Sequence, residues 1–232
     1  MGKRIIQQRR GRGTRSYKVN RRVYRFRLQY PRSLEGEGVV SSLFNSAAHS
    51  APMAKIKYSG GFFYIPAFKG MIEGQTIKFG GNEIKDGNIL RLKDIPIKTR
   101  IYCIESNPGD GGIFIRTGGN YAEVNKIIGK DIYILMPSKQ EKKFNQNCRA
   151  IIGVIAGAGR FDKPVVKAGK KFFIKKAKSK LWPRTSAVKM NVIDHPFGSG
   201  RGKRIKSKIA KRNAPPGARV GLIRPRRTGK RK

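Results

Sequence analysis

The hydrophobic positions of this chain form two sets of short runs separated by glycine-rich turns. β-Branched and aromatic runs of this length, bounded by Gly, Asn and Asp, are typical of strands. The first set reads GVVSSLFN, PMAKIKYS, FFYIPAF and TIKFGG. Ser59-Gly60-Gly61 separates its second and third runs and predicts a hairpin turn. We therefore predict a small barrel of about five strands over residues 36–87.

The second set of runs predicts a second small barrel over residues 88–160, because its strands follow one another at short, regular spacing. Its turns are Asn107–Gly112, Gly118–Asn120 and Gly129–Asp131. The fold class predicted is therefore mostly β. The runs are NILRLKDIPIKTRIYCIES, IFIRTG, YAEVNKIIG, DIYILMP and CRAIIGVIAG.

The two ends of the chain lack this strand pattern and are predicted to be basic extensions, over residues 1–35 and 161–232. Within the second extension, VVKAGKKFFIKKAKSK favours a short basic helix, although Gly169 weakens that prediction. We expect Phe172, Phe173 and Ile174 to face the second barrel. The Pro and Gly content beyond residue 200 favours an extended chain.

Basic residues are concentrated at both ends of this 232-residue chain, whose formal net charge is +40. Residues 1–32 hold 12 basic and no acidic residues, residues 33–150 hold 16 basic and 11 acidic, and residues 151–232 hold 25 basic and 2 acidic. The nearly neutral centre can form a core. The ends bury too little apolar surface alone, so we expect them to become ordered only against a partner.

A charge of this size indicates nucleic acid as the partner, because a compact body carrying it repels itself unless a polyanion neutralises it. Tyr17, Tyr24, Phe26 and Tyr30 alternate with arginines in the first arm. Arginine binds phosphate through its planar fork, and both residue types stack on bases. One alternative is a solvated arm without a target. Another is a generic chromatin-like or membrane-surface polybasic protein, which leaves the two barrels unexplained.

Cysteine and histidine usage argues against a metal site. Cys103 and Cys148 each lie in an apolar run and predict buried, reduced thiols. His49 and His195 are the only histidines, and no zinc-ligand spacing exists. No apolar run approaches the roughly 20 residues of a membrane span, and the first residues lack the hydrophobic core of a signal peptide. We expect a soluble, intracellular protein.

Glycines at 111, 112, 118 and 119 lie on both sides of Arg116. Bare backbone allows a phosphate to approach closely, and a nearby arginine can then bind it. The glycines can equally serve tight turns alone, and the sequence leaves the two interpretations open.

Residues 181–200 contain the only Trp and the last carboxylate of the chain, Asp194, beside His195. A carboxylate next to a histidine can orient a general base. Adjacent side chains rarely point at each other, however, and Pro196 restricts His195 to extended or turn backbone. The chain has no carboxylate cluster for a metal, P-loop or dinucleotide fingerprint. We interpret the segment as a structural or RNA-contacting loop, with a nucleic-acid enzyme using Asp194 and His195 as the alternative.

Several motifs resemble one known family. AVKMNVIDHPFGSG is similar to the signature A-M-N-x-x-D-H-P-[HF]-G-G-G of the universal "L two" family of large-subunit ribosomal proteins. NPGDGGIFIRTGGNYAEV and NCRAIIGVIAG resemble two further family segments, and MGKRIIQQRRGRG and KRNAPPGARVG resemble its archaeal and eukaryotic branch. The chain differs at Lys189, at Phe197 where bacterial members have a second His, and at Ser199 within the glycine run.

The resemblance implies an OB-like barrel followed by an SH3-like barrel, with basic extensions at both ends. It implies a non-enzymatic constituent of the large ribosomal subunit in the cytoplasm, which binds large-subunit rRNA and supports the peptidyl-transferase region, tRNA placement and subunit association. The expected neighbours are other ribosomal proteins, the small subunit and tRNA, with no membrane or small-molecule substrate. No cofactor is expected, and whether Mg²⁺ ions bridge protein and RNA is left open.

His195 matches the loop histidine of the family, and we expect it to support local structure while the RNA performs the chemistry. The residues predicted to contact RNA lie in the basic arms and in the motifs quoted above. They are Arg9, Arg10, Arg12, Arg15, Arg21, Arg22, Gly111, Gly112, Arg116, Gly118, Gly119, Arg149, Lys170, Lys171, Trp182, Arg184, Lys189, Asn191, His195, Phe197, Gly198, Arg201, Lys203, Arg204, Asn213 and Arg219.

Overall fold

The computed structural model describes residues 3–198, 209, 210 and 213–223. The chain divides into two compact units. The β unit consists of Asn20–Lys170, and the terminal unit combines Met1–Val19 with Lys171–Lys232. Strands hold more of the described residues than helices do, which confirms the predicted, mostly β fold class.

Ten strands of the β unit form one sheet in the order β3-β2-β1-β4-β5-β10-β6-β7-β8-β9. All neighbouring pairs are antiparallel except β4 and β5, which are parallel. The strands are β1 (Gly36–Phe44), β2 (Met53–Tyr58), β3 (Gly61–Pro66), β4 (Thr76–Phe79), β5 (Ile89–Arg91), β6 (Arg100–Tyr102), β7 (Ala122–Ile128), β8 (Asp131–Leu135), β9 (Glu141–Asn145) and β10 (Arg149–Ile152).

The first four predicted runs correspond to β1–β4, and the predicted hairpin turn is confirmed, because Tyr58 pairs with Gly61 across it. In the second set, IFIRTG is not a strand, which corrects that prediction. It contributes only an isolated bridge between Ile104 and Phe114. The sequence also gave no sign of β9, which reads EKKFN and buries only Phe144. A polar edge strand with one inward side chain lacks the apolar pattern on which the prediction depended.

Two hydrophobic clusters lie on opposite faces of the central strands. Ile89 and Ile151 pack in the cluster that covers β1–β4, whereas their neighbours Leu90 and Ile152 pack in the cluster that covers β6–β9. Successive side chains of a strand point to opposite faces, so β5 and β10 contribute to both cores. Two cores are consistent with two barrels, while the limits predicted at residues 87 and 88 remain a prediction.

In the terminal unit, α1 spans Ile6–Gly11 and a parallel pair joins β11 (Ile209–Ala210) to β12 (Leu222–Ile223). The predicted basic helix is present as α2, Ala168–Ala177, which begins in the β unit and ends in the terminal unit. Phe172, Phe173 and Ile174 of this helix are all exposed, and the expectation that they face the second barrel stays a prediction. Arg201, Lys203 and Arg204 lie outside the described residues.

Candidate nucleic-acid interface

The His195 loop, residues 191–198, is closed by hydrogen bonds within its own backbone. The Asn191 carbonyl accepts from the N–H groups of Asp194 at 3.0 Å and His195 at 3.2 Å, and the Gly198 N–H donates to the His195 carbonyl at 2.8 Å. A short 3₁₀ turn, Ala187–Lys189, precedes these bonds. Pro196 fixes one φ angle within the loop. Fewer backbone conformations therefore compete with the one that these hydrogen bonds hold.

The His195 ring is held by the loop that carries it. The Phe197 N–H donates to Nδ1 at 3.0 Å, and the centres of the His195 and Phe197 rings lie 5.2 Å apart. Because Nδ1 accepts this bond, the neutral ring carries its proton on Nε2. Among the described residues no protein group bonds to Nε2, so it is available as a donor.

The Asp194 carboxylate makes no hydrogen bond to the His195 ring among the residues that the structure describes. The arrangement in which a carboxylate orients a general base is therefore not formed by these two neighbours. This geometry weakens the enzyme alternative drawn from the Asp194-His195 pair.

Gly198 is buried against the start of the loop. A Cβ at this position would overlap the Asn191 carbonyl and lie 2.7 Å from the Met190 carbonyl oxygen. Only glycine permits the backbone to turn this closely on itself. The motif glycine therefore has a structural cause within the loop.

The His195 loop also contacts the first residues of the chain. The Lys3 N–H donates to the Ile193 carbonyl at 3.0 Å. A concavity of about 390 Å³ is lined by Lys3, Arg4 and His195, together with residues of 216–218. The sequence treated the two basic ends as separate arms, whereas the structure brings them together in the terminal unit.

Most of the predicted RNA-contacting cations are exposed. In the described part of the chain, every ion pair lies between residues 37 and 149, so the exposed cations of the terminal unit have no protein carboxylate to neutralise them. The predicted RNA-contacting residues that are exposed in the terminal unit are Arg9, Arg10, Arg12, Arg15, Lys171, Arg184, Lys189, Asn191, Asn213 and Arg219, and those exposed in the β unit are Arg21, Arg22 and Lys170.

Trp182 and Lys171 are brought together, with the Lys171 Nζ 5.7 Å from the centre of the Trp182 ring. The pair presents a cation beside a half-buried aromatic ring.

Tyr30 behaves differently from the other aromatics of its arm. It is buried, and its hydroxyl lies 2.9 Å from the carbonyl oxygens of Cys103 and Arg149, which accept its hydrogen bond. Tyr30 is thus unavailable for stacking on a base, and burial raises its pKa well above the usual value.

The glycine-rich loop packs closely against the protein, and the half-buried Arg116 bonds to protein carbonyls. Gly111, Gly112 and Gly118 are buried and Gly119 is half-buried. A Cβ on any of the four would come within 3 Å of other protein atoms, so packing accounts for these glycines. Arg116 donates from Nε to the Ile113 carbonyl at 3.0 Å and from Nη1 to the Leu28 carbonyl at 2.9 Å.

Arg149 is paired with Glu105, a residue that the sequence analysis did not single out. Glu105 is fully buried and lies 2.8 Å from Arg149 Nη2. The same carboxylate accepts from the N–H groups of Gly109 at 3.2 Å and Gly111 at 3.1 Å. It thereby joins the glycine-rich loop to β10. The feature of the sequence that could have indicated this buried ion pair is a single carboxylate inside the apolar run IYCIES.

The two thiols are free and buried, which confirms that prediction. Burial raises the pKa of Cys103 to about 12 and that of Cys148 to about 11. The described residues contain no group of three His, Cys, Asp or Glu side chains placed to hold a metal. They also include no helix that has both the length and the apolar character to span a bilayer.

Exposed cations and half-buried aromatics on a mostly β framework define a nucleic-acid-binding protein. Residues 85–217 match the family model described as "Ribosomal Proteins L2, C-terminal domain". Proteins named "Large ribosomal subunit protein uL2" from Archaeoglobus fulgidus, Methanocaldococcus jannaschii and Methanococcoides burtonii are 44%, 42% and 43% identical to the chain, with 100% of both chains covered in each case. The chain belongs to the L2 family of ribosomal proteins, as the sequence motifs predicted.

Proposed function

We propose that this chain is a structural constituent of the large ribosomal subunit in the cytoplasm, where it binds ribosomal RNA and neighbouring ribosomal proteins and catalyses no reaction. The observation that carries the proposal is identity of 42–44% over full length to archaeal proteins named for that subunit. The exposed cations of the terminal unit support it, because they lack protein counterions among the described residues.

The cations of the terminal unit contact phosphates, so binding releases counterions and weakens steeply as salt rises. Lys171 and Trp182 together offer a charge and a ring to an RNA nucleotide. Arg116 and Arg149 act mainly within the protein, because their guanidinium groups are engaged by carbonyls and by Glu105. Their remaining N–H groups are the part that reaches RNA.

The His195 loop and the joined ends of the chain support the peptidyl-transferase region, tRNA placement and contact with the small subunit. His195 acts there as a structural residue whose Nε2–H is offered to RNA, while Nδ1 holds the loop through Phe197. The enzyme alternative, in which the Asp194 carboxylate orients His195 as a general base, would need a contact between the two side chains, and that contact is not formed among the described residues.

The test is sedimentation of the tagged chain from a cell lysate through a sucrose gradient after a high-salt wash. Recovery in the large-subunit peak supports an integral ribosomal component. Recovery at the top of the gradient, or release at modest salt, indicates a loosely held polyanion binder and overturns the proposal. A tagged basic protein of similar charge from outside the ribosome is the control for electrostatic adhesion.

A further inference from the structure

The outer face of the β2–β3 hairpin carries aromatic side chains that the cores do not use. Along β3, Phe63 and Ile65 are buried, whereas the alternate residues Phe62 and Tyr64 point outward. Their ring centres lie 5.7 Å apart at an interplanar angle of 72°. The face therefore begins with two adjacent rings on one strand.

Two further rings extend this aromatic face at the Tyr64 end. Phe44, the last residue of β1, and Phe26 lie with their ring centres 5.8 Å and 5.0 Å from that of Tyr64. They lie 4.7 Å from each other. These three rings are half-buried by mutual contact, which fixes their orientation. Phe62 is different, because 58% of it is exposed.

The aromatic face is bordered by positive charge. The Lys55 Nζ lies 4.4 Å from the centre of the Phe62 ring, and Lys57 is the cross-strand partner of Phe62. Arg25 lies 5.8 Å from the Phe26 ring centre, and Arg27 is also exposed. Strands β2 and β3 contain no carboxylate. An anionic ligand that also presents flat rings fits this arrangement better than an apolar protein surface, which would have to desolvate these cations.

We propose that Phe62 is a stacking site for an unpaired base of RNA, with Lys55 and Lys57 neutralising the adjacent phosphates. An exposed ring on a rigid hairpin, flanked by cations, is the arrangement by which β-sheet proteins hold splayed-out bases. The half-buried rings of Tyr64, Phe44 and Phe26 hold the strand end in place and bind no base themselves. The inference rests on the proposed function, because it assumes that RNA is the partner of this chain.

The test compares the affinity of the full chain for an octamer of uridine and for an abasic octamer of the same charge, at about physiological salt. Both ligands present the same phosphates, so their difference reports binding of bases. We expect the wild type to prefer the uridine octamer. Phe62→Leu, which keeps an apolar side chain, is expected to lose roughly 5- to 150-fold of that preference and to leave the abasic affinity unchanged.

Phe173→Leu is the matched control, because Phe173 is a similarly exposed aromatic, at 66%, in the terminal unit. It is expected to keep the wild-type preference, as is Phe62→Trp, which retains a ring for stacking. Equal preference in Phe62→Leu and the wild type overturns the inference, as does a wild type that does not distinguish the two octamers. A thermal unfolding curve shows whether Phe62→Leu is folded. If it is not, Phe62→Met, which also removes the ring but keeps an apolar side chain, takes its place with the same two outcomes.

Octamer binding and sedimentation test the stacking site and the ribosomal role separately. Wild-type chain that sediments with the large subunit but shows no base preference overturns only the stacking site. Chain that stays at the top of the gradient overturns the ribosomal role itself. Ultraviolet cross-linking of purified subunits provides a second measurement, with a nucleotide adduct on Phe62 expected and an adduct-free Phe62 counting against the site.

Discussion

Nη2 of Arg149 lies 2.8 Å from Oε1 of Glu105, and Glu105 has no exposed surface. Both Nε of Arg149, at 3.2 Å, and its backbone N–H, at 2.8 Å, bond to the same carboxylate. A buried charge with this many donors is fully satisfied, and removal of one partner leaves the other charge unpaired. The Arg149–Glu105 pair thus connects β10 to the glycine-rich loop through charged hydrogen bonds, which apolar packing cannot replace.

Replacement of Glu105 by Gln is expected to destabilise the β unit by about 3–5 kcal/mol, because the Arg149 guanidinium then stays buried without a counterion. Urea unfolding of the purified chain measures the loss. Glu123→Gln is the control, since Glu123 pairs with Arg100 on the surface at 3.6 Å and contributes at most about 1 kcal/mol. Equal unfolding midpoints for the two variants would contradict the assigned role of Glu105.

Gly112→Ala is expected to destabilise the protein by more than Gly74→Ala. The two glycines have nearly the same backbone angle, with φ of +84° and +83°. A Cβ at Gly112 would overlap the Cys103 carbonyl, whereas a Cβ at Gly74 would have no neighbour within 4 Å. The difference in thermal midpoint between the variants therefore isolates the packing cost from the backbone strain, which is roughly 1–2 kcal/mol at each position. Indistinguishable midpoints would show that loop 106–112 relaxes freely.

The two thiols are expected to resist alkylation in the folded protein. With the pKa of Cys103 raised from 9.0 to about 12 by burial, its thiolate population at neutral pH falls by about a thousandfold. Iodoacetamide labelling, followed by mass spectrometry with and without urea, measures the protection. Fast labelling of Cys103 without urea would show that its surroundings open readily.

The raised pKa values of the two thiols also predict that the protein loses stability at alkaline pH. The folded-state pKa values, about 12 for Cys103 and about 11 for Cys148, lie above the unfolded value of 9.0. The neutral thiols therefore favour the folded state fully below about pH 9, and this contribution is lost as pH rises through the folded values. Urea unfolding at pH 8 and pH 10.5 measures the decline. Cys103→Ala combined with Cys148→Ala is expected to flatten this part of the profile.

His195→Asn and His195→Phe are expected to differ in assembly. An asparagine side chain offers an oxygen that can accept the Phe197 N–H in place of Nδ1, whereas phenylalanine keeps a ring but offers no acceptor. The lost bond is worth about 0.5–1.5 kcal/mol. Co-expression of each tagged variant with wild-type chain, followed by quantification in the large-subunit peak, measures the effect. A disadvantage for His195→Asn equal to that of His195→Phe would assign the histidine to an RNA contact through its Nε2–H, which both variants lack, rather than to loop closure.

Short apolar runs and glycine turns were enough to predict the mostly β fold, the hairpin at residues 59–61 and the helix α2, because these features depend on local periodicity. The strand β9 was not predictable in the same way, since only Phe144 of its residues faces the core. IFIRTG has the composition of a strand, but Arg116 and the glycines that follow turn it into a loop tied to Leu28. The composition of a run does not show which distant residues will form hydrogen bonds with it.

By itself, the sequence determined the class of this protein. Its charge distribution indicates nucleic acid as the partner, its strand pattern predicts the mostly β fold, and the motif around His195 resembles the L2 family, because charge and motif are properties of the chain rather than of its packing. Only the tertiary structure decided which candidate residues face outward. Arg149 and Tyr30 turn inward onto Glu105 and Cys103, while Phe62 remains exposed between lysines. Contacts such as these join residues that are many positions apart in the chain. Alternation with a period of two predicts the face of the sheet on which a side chain lies, but not which residues pack against that face.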